Sequence, residues 1–498
     1  MHMLDASMRM VAGERPHVNF MTPIGILGFA PVAGFLGAGF AVGKATLLAG
    51  LAILALLLPS VWWVGATRFT KGQAYYFGVI SIITMTAVVY GGGANSISLS
   101  MYYNRWGWTI AFLVLATVLF PPKVQIKETW VAPLIVGTGM AALLMLKMTF
   151  FVPLLPVVML LLLVQKQTGL LLRAMGVALA IGGALVLWLG PDFFLAYADN
   201  LLTIMQGASG RQKAGADIVM LLVGPKTVAG TLVLFLGLFL FRKAGYMHQG
   251  LVLFILAPAF TYITYQNWGN DPKWIHLVIL YLWVNLPKAD EKTAFNLSAR
   301  QSAFALIWVG LTVALPSVFT LAISPARLAS ADLEEYEYLD LRDGMSDIWL
   351  PPVHVETIAV EQSIEGWPPL NPDLDLVEID GFTFPDCQAT ATLIPAYVAM
   401  ARQIEALDMA RGQPVLTADV LNFGWLVADI GRVEGAAPWY YGDDAGMAHA
   451  AFLAVPFCPL KQSLRGALVT QFQEAGYGLN EVYRSELMVL YAVSKPAE

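Results

Sequence analysis

Ala45-Thr-Leu-Leu-Ala-Gly-Leu-Ala-Ile-Leu-Ala-Leu-Leu-Leu-Pro-Ser-Val-Trp-Trp-Val-Gly65 runs for twenty-one residues without a charge, the length a helix needs to cross the hydrocarbon core of a bilayer. Comparable stretches recur near residues 73–91, 107–121, 130–146, 149–164, 173–190, 226–241, 249–265, 274–287 and 301–323. Several are short and flanked by proline. Hydrophobic residues make up 57% of the 498 positions and charged residues 13%, an excess that lipid accommodates and water does not. The chain is therefore predicted to contain an α-helical polytopic membrane domain of ten or eleven transmembrane helices. The eleventh would be the Gly/Ala-rich stretch 24–42, joined to the next span by only Gly43 and Lys44. Its alternative is a helix lying on the membrane surface.

Charge divides the chain in two. Residues 1–330 carry a net charge of +12 and residues 331–498 a net charge of −18. Ten spans leave both chain ends on one side, and the loops holding Arg68, Lys71, Lys123, Lys127, Lys166, Arg173, Arg242, Lys243, Lys288, Lys292 and Arg300 fall on the other. The positive-inside rule assigns the basic side to the cytoplasm. The expected domains are an extracytoplasmic segment with an interfacial helix (1–44), a multi-span membrane domain (45–324), a connector rich in proline and acidic residues (325–372) and a small periplasmic α/β domain (373–498). In the last of these, apolar runs at 415–420 and 451–457, a helical pattern at 460–475 and a β-rich run at 479–493 carry the assignment. No cleavable signal peptide is read before the first apolar run. Cys387 and Cys458, the only cysteines, are compatible with a disulfide or with two free thiols.

Polar residues are scarce enough in the membrane half for each to be weighed. Lys147 lies in a turn about three residues long between two apolar stretches, where an ammonium can hold a lipid phosphate or merely snorkel to the interface. Two outward loops combine aromatic and hydrogen-bonding groups: one holds Tyr103, Asn104 and Arg105, the other Gln266, Asn267, Asn270, Asp271 and Lys273. Such loops suit a sugar, although Tyr and Trp are also ordinary membrane-belt residues. A long outer loop at 191–225 joins an amphipathic stretch to Arg211, Gln212 and Lys213. In the C-terminal part, Trp439, Tyr440, Tyr441, Gly442, Asp443 and Asp444 form an aromatic-acidic turn. No phosphate-cradling P-loop, zinc-spaced Cys/His cluster or nucleophile elbow is present, and no residue is assigned to a metal.

The stretch 4–25, containing Gly13-Glu14-Arg15-Pro16-His17-Val18-Asn19-Phe20, resembles the first extracytoplasmic loop of GT-C class membrane glycosyltransferases, with weaker echoes at 103–106, at Lys147 and at 266–273. The architecture resembles that class along the whole chain. The class uses an acidic first-loop residue as general base and basic residues on the phosphate of a polyprenyl-linked sugar donor. The resemblance implies Asp5 and Glu14 as catalytic acids; Lys147, Arg105, Arg211 and Lys273 as phosphate ligands; and His17, Tyr103, Asn104, Gln266, Asn267, Asn270 and Asp271 as substrate ligands. In related loops a membrane helix precedes this segment and the acidic residue stands a few positions earlier. The corresponding residue is expected upstream of Met1, leaving an impaired enzyme if the chain begins there. A divalent cation stays open as a cofactor. The implied partners are a polyprenyl-phosphate-linked sugar, an acceptor glycan, lipid or protein, and the bacterial inner membrane, with no nucleic acid. Two other classes remain: a flippase or transporter for a lipid-linked saccharide, and a non-catalytic membrane scaffold. The scarcity of ionisable residues inside the spans, with His276 the only candidate, favours a surface-sited enzyme over a transporter.

Overall fold

The computed structural model describes the chain except residues 92, 94–98, 124–129, 207–223, 268–271, 289–296, 343, 365, 367, 391–392, 442 and 497–498. It begins with helix α1 (His2–Val11) and a short helix α2 (Ala30–Gly37). The membrane half then comprises α3 (Val42–Arg68), α4 (Lys71–Thr86), α5 (Ser100–Leu119), α6 (Val131–Leu146), α7 (Met148–Val164), α8 (Thr168–Leu189), α9 (Pro191–Gln206), α10 (Pro225–Lys243), α11 (Met247–Gln266), α12 (Ile275–Val284) and α13 (Ala299–Ala329). Every one of the ten apolar stretches is thus a helix, and α3, α8, α10, α11 and α13 are long and apolar enough to cross a membrane. Their outer faces need lipid: Leu56, Leu187 and Trp188 are 71%, 89% and 75% exposed, a cover that water does not supply. The chain is a multi-pass helical membrane protein.

Two expectations are corrected. The stretch 24–42 does not form an eleventh span; it breaks into a 3₁₀ turn (Ile26–Gly28) and the eight residues of α2, which at 1.5 Å per residue reach about 12 Å. Glycines at 25, 28, 34, 37 and 39 deprive that stretch of helix propensity. The residues 101–108 do not form a loop either. They are the first turns of α5, whose described side chains from 101 to 119 are all buried. Polarity in the sequence suggested exposure to water, but Tyr102, Tyr103, Asn104 and Arg105 turn into the bundle and find partners there.

The two ends of the bundle differ. At one, Lys123 N–H donates to Thr67 O (2.8 Å), its ammonium to Gln73 Oε1 (3.3 Å), and Gln73 Nε2 to Trp283 O (3.3 Å), which ties the Arg68 and Lys123 loops together. At the other, the first 25 residues meet the C-terminal domain. The connector crosses to this end as well: Asp347 accepts from the backbone N–H groups of Gly43 and, at 3.1 Å, Lys44. An acidic side chain on the unsatisfied N–H groups of α3 stabilises its start.

The C-terminal domain is built on a mixed sheet of β1 (Val415–Thr417), β2 (Phe452–Pro456), β3 (Gly478–Arg484) and β4 (Met488–Ser494), in the order β1, β2, β4, β3. β1 is parallel to β2, while β4 is antiparallel to both β2 and β3. Its helices are α14 (Leu393–Glu405) and α15 (Gln462–Glu474). All residues of β1 and β2 are buried, as in a sheet covered on both faces. Alternation decides which face each residue serves. Leu416, Leu453, Val455 and Val489 pack with Leu468 and Phe472 of α15, whereas Val415, Phe452, Ala454, Met488 and Leu490 belong to a core that runs on through α14 and α1 into the membrane helices. The α/β domain is present as expected, but its core is shared with segment 1–44.

Cys387 and Cys458 form a disulfide across 71 residues of sequence. It ties the strand at 387–389, paired with 360–362, to the end of β2. Cross-linking a loop of this size restricts the unfolded chain, so Cys387→Ser should cost about 2–5 kcal/mol of domain stability. Pulse proteolysis of the purified protein reads this, and a Cys387→Ser variant as resistant as the parent would show the bridge to be dispensable.

Candidate functional site

Lys147 is the one residue separating α6 from α7. Its extended backbone (φ −165°, ψ 122°) pairs with Ile24, and Gly25 N–H donates to Leu146 O at 3.1 Å. The first segment therefore runs as a strap over the helical turn. The half-buried side chain points its ammonium at two amide oxygens, Asn267 Oδ1 (2.5 Å) and Asn104 Oδ1 (3.2 Å), and lies 5.1 Å from the centre of the Tyr103 ring. Asn267 is fixed in turn by its Nδ2 donating to Ile263 O at 2.7 Å. Burial lowers the lysine pKa to about 7, because a poorly solvated ammonium is disfavoured. Among the described residues no carboxylate lies within 4.0 Å of it. An ammonium has three donors, and two are accounted for. The site has a cation, an aromatic face, two oriented amides and, among the described residues, a donor beyond those two bonds.

Other sequence-nominated residues serve different surroundings. Arg105 caps the end of α4, donating to Val89 O (2.8 Å) and Ala87 O (2.5 Å) with its guanidinium 4.5 Å from the Tyr102 ring. Lys273 is buried just before α12. Its neighbour Trp274 donates to Thr264 Oγ1 (2.9 Å) and stacks on Phe260. Gln266 is the half-buried last residue of α11. Arg211, Asn270 and Asp271 lie outside the described residues.

His17 adopts a left-handed backbone (φ 69°), a strained conformation for a residue with a Cβ. It is held there by Nδ1 against Thr22 O (3.0 Å) and by stacking on Tyr197 of α9 at 4.2 Å. Burial holds its pKa down to about 4, so the ring is neutral. Asn200 Oδ1 accepts from Thr22 N–H (3.0 Å), and Tyr197 O–H donates to Leu144 O (3.2 Å). These bonds fasten α9 to the strap and to α6.

Asp5 and Glu14 face the C-terminal domain. Arg9 Nε donates to Asp5 Oδ1 at 2.9 Å, and Arg9 Nη1 donates to Glu14 Oε2 (3.0 Å) and Val433 O (3.2 Å). Trp425 Nε1 adds a bond to Asp5 Oδ1 (3.1 Å), and Arg432 reaches Glu14 Oε1 at 3.2 Å. The Asp5 and Arg9 side chains are 0% exposed. Burial pushes the Asp5 carboxyl up against the opposing pull of Arg9. This network is a clasp between α1 and the C-terminal domain. The Asp5–Arg9 spacing of four residues, on the amphipathic pattern of residues 2–11, was its signal in the sequence. The partners 420 residues later had none.

The clasp also brings C-terminal aromatics against α1. The ring of His2 meets Trp439 edge-on at 5.3 Å, and burial holds that histidine's pKa down to about 3. Among the described residues, no group of three or more His, Cys, Asp or Glu side chains could hold a metal ion. No protein-family model matches this chain, and no curated protein and no solved structure is similar to it.

Proposed function

We propose that the protein is a membrane glycosyltransferase of GT-C type that receives the phosphate of a polyprenyl-linked sugar at Lys147. The observation that carries the reading is the lysine itself: a half-buried ammonium at the end of apolar helices, oriented by Asn104 and Asn267 and without a carboxylate partner among the described residues. In sugar transfer the acceptor hydroxyl attacks the anomeric carbon and the C–O bond to the carrier phosphate breaks, so negative charge grows on the departing phosphate. A cation already desolvated and aimed stabilises that charge more than one held in water. The acceptor's proton goes to a general base, and neither nominated acid is free for that part: Asp5 is held by Arg9 and Trp425, and Glu14 by Arg9 and Arg432.

Two features support placing this end of the bundle on the periplasmic face of a bacterial inner membrane. The basic loops gather at the opposite end, and the Cys387–Cys458 bridge persists in oxidising compartments.

The test is binding. Purified protein in zwitterionic detergent should bind citronellyl phosphate, and Lys147→Ala should weaken that binding by tenfold or more, since charge-assisted hydrogen bonds contribute about 1.5–3 kcal/mol. Burial lowers the lysine pKa to about 7, so the free ammonium is lost as pH rises, and the parent's advantage over Lys147→Ala should shrink between pH 6 and pH 8. The comparison with the variant cancels the titration of the phosphate monoester itself, whose second pKa is about 6. Unchanged affinity in Lys147→Ala would remove the lysine from the site and the reading with it.

A further inference from the structure

Helix α9 has three unlike sides. Phe193, Tyr197, Asn200 and Ile204, spaced four, three and four residues apart, turn inward. Phe193 and Tyr197 both meet the His17 ring, at 5.0 and 4.2 Å, Asn200 holds Thr22, and Ile204 packs on the cluster that contains Met21. Leu195, Ala198, Leu202 and Met205, at spacings of three, four and three, form a second side that is exposed. Its leucines are 72% and 53% open and its methionine 76%. Such spacings put side chains on one face of a helix. Asp192 and Asp199, seven residues apart, mark the third side, which is exposed as well.

The neighbours of α9 fix where it lies. Gly190 ends α8 in the left-handed region (φ 85°), which glycine enters without steric cost. Arg15 of the strap brackets this corner, donating to Leu189 O at the end of α8 (3.4 Å) and to Asp192 Oδ2 at the start of α9 (3.1 Å). Farther along, Tyr197 O–H reaches Leu144 O near the end of α6. From Phe193 to Ile204, about 17 Å of helix, α9 therefore follows the strap along the end of the bundle. Its exposed apolar side continues a surface that lipid covers: Leu187 and Trp188 open outward from the last turn of α8, and Leu195 follows in the second turn of α9. The helix has no Lys, Arg or His, so burial of its apolar side, and not attraction to anionic headgroups, would make the contact.

We propose that α9 docks on the lipid surface at the strap end of the bundle, with Leu195, Ala198, Leu202 and Met205 among the acyl chains and Asp192 and Asp199 in water. The strap hangs on this helix through His17 and Thr22. The helix thus holds the cover of Lys147 level with the lipid headgroups. The inference is independent of what Lys147 binds.

The experiment reads depth with nitroxide spin labels on full-length protein in phosphatidylcholine nanodiscs. Both native cysteines are bridged, so one added cysteine takes the label: Leu195→Cys, Leu202→Cys or Asp199→Cys in turn. Collision with dissolved oxygen reports acyl chains, and collision with a neutral nickel chelate reports water. The oxygen-to-nickel ratio should be several times higher at 195 and 202 than at 199. A melt that matches the parent shows each variant to be folded, and Met205→Cys offers a further label on the same side should a leucine variant fail to fold. Equal ratios at all positions, with the nickel chelate reaching each of them, would make α9 a solvated connector and overturn the proposal. Shielding of 195 and 202 from both reagents would show that protein covers this side, in a second copy or in the same chain, and would overturn it too. Exchange of part of the phosphatidylcholine for phosphatidylglycerol should leave the ratios unchanged. High ratios that appear only with the anionic lipid would assign the attachment to charge and count against the apolar docking side.

Discussion

Arg9→Met is expected to unfasten the first segment from the C-terminal domain and to lower stability by about 3–5 kcal/mol, the usual consequence of removing one partner of a buried ion pair. The guanidinium serves three acceptors, Asp5 Oδ1, Glu14 Oε2 and Val433 O, and lies 5.8–5.9 Å from the rings of Trp425 and Phe20. Without it the fully buried Asp5 carboxylate keeps only the Trp425 N–H. Burial already raises the Asp5 pKa, and loss of Arg9 removes the main force opposing that rise. A carboxyl whose folded pKa exceeds its unfolded value contributes most below the unfolded pKa and loses that contribution as pH climbs through the folded one. The variant should therefore be least stable at neutral pH and recover on acidification. Melting followed by tryptophan fluorescence across this pH range measures both effects. The double variant Asp5→Leu/Arg9→Met, which leaves no orphaned charge at Asp5, should regain part of the loss. An Arg9→Met protein that melts with the parent at every pH would show that the clasp carries no stability and would return Asp5 to candidacy as a base.

The second large effect is expected at Gly25. Its φ of −64° suits any residue; the constraint is distance. A Cβ added there would lie 2.1 Å from Met145 O and 2.4 Å from the Met145 carbonyl carbon. Backbone does not yield as a flexible side chain does, so Gly25→Ala must lift the strap from the end of α6. That breaks the Gly25 N–H bond to Leu146 O and the pairing of Ile24 with Lys147. Overpacking of this kind costs about 1–3 kcal/mol, but the functional loss should be larger, because the lysine backbone moves with the strap. Affinity for citronellyl phosphate should drop as far as in Lys147→Ala. Gly34→Ala is the control: a Cβ there meets nothing within 4 Å, and alanine in a helix is favoured over glycine. Equal behaviour of the two alanine variants would mean that the strap does not position Lys147.

All ten apolar stretches are helices, and α3, α8, α10, α11 and α13 also meet the one requirement that lipid imposes and sequence displays directly, about 20 apolar residues. β1, β2 and α15 were legible because apolar runs and helical spacing are local. Residues 101–108 were misread for the opposite reason. Asn104 and Arg105 look like surface residues until Lys147 and the carbonyls of residues 87 and 89 supply partners, and such pairing between distant segments leaves no mark in either one. The same holds for Asp5. An acidic residue near the start of a chain fits many roles, and only Arg9, Trp425 and Arg432 together make it part of a clasp. Lys147 was found because a charge between two apolar runs is rare enough to stand out, while its two amide partners come from helices 43 positions before and 120 positions after it.

The clasp also fixes the order in which the molecule can be completed. Helix α1 is made well before Trp425, Arg432 and Val433, which close around its Asp5–Arg9 pair from more than 400 residues later in the chain. Until then the pair stands in water or at the headgroup level, where an exposed pair contributes little, and contacts of such sequence separation form slowly. The strap over Lys147 thus acquires its final support only when the C-terminal domain has folded onto it.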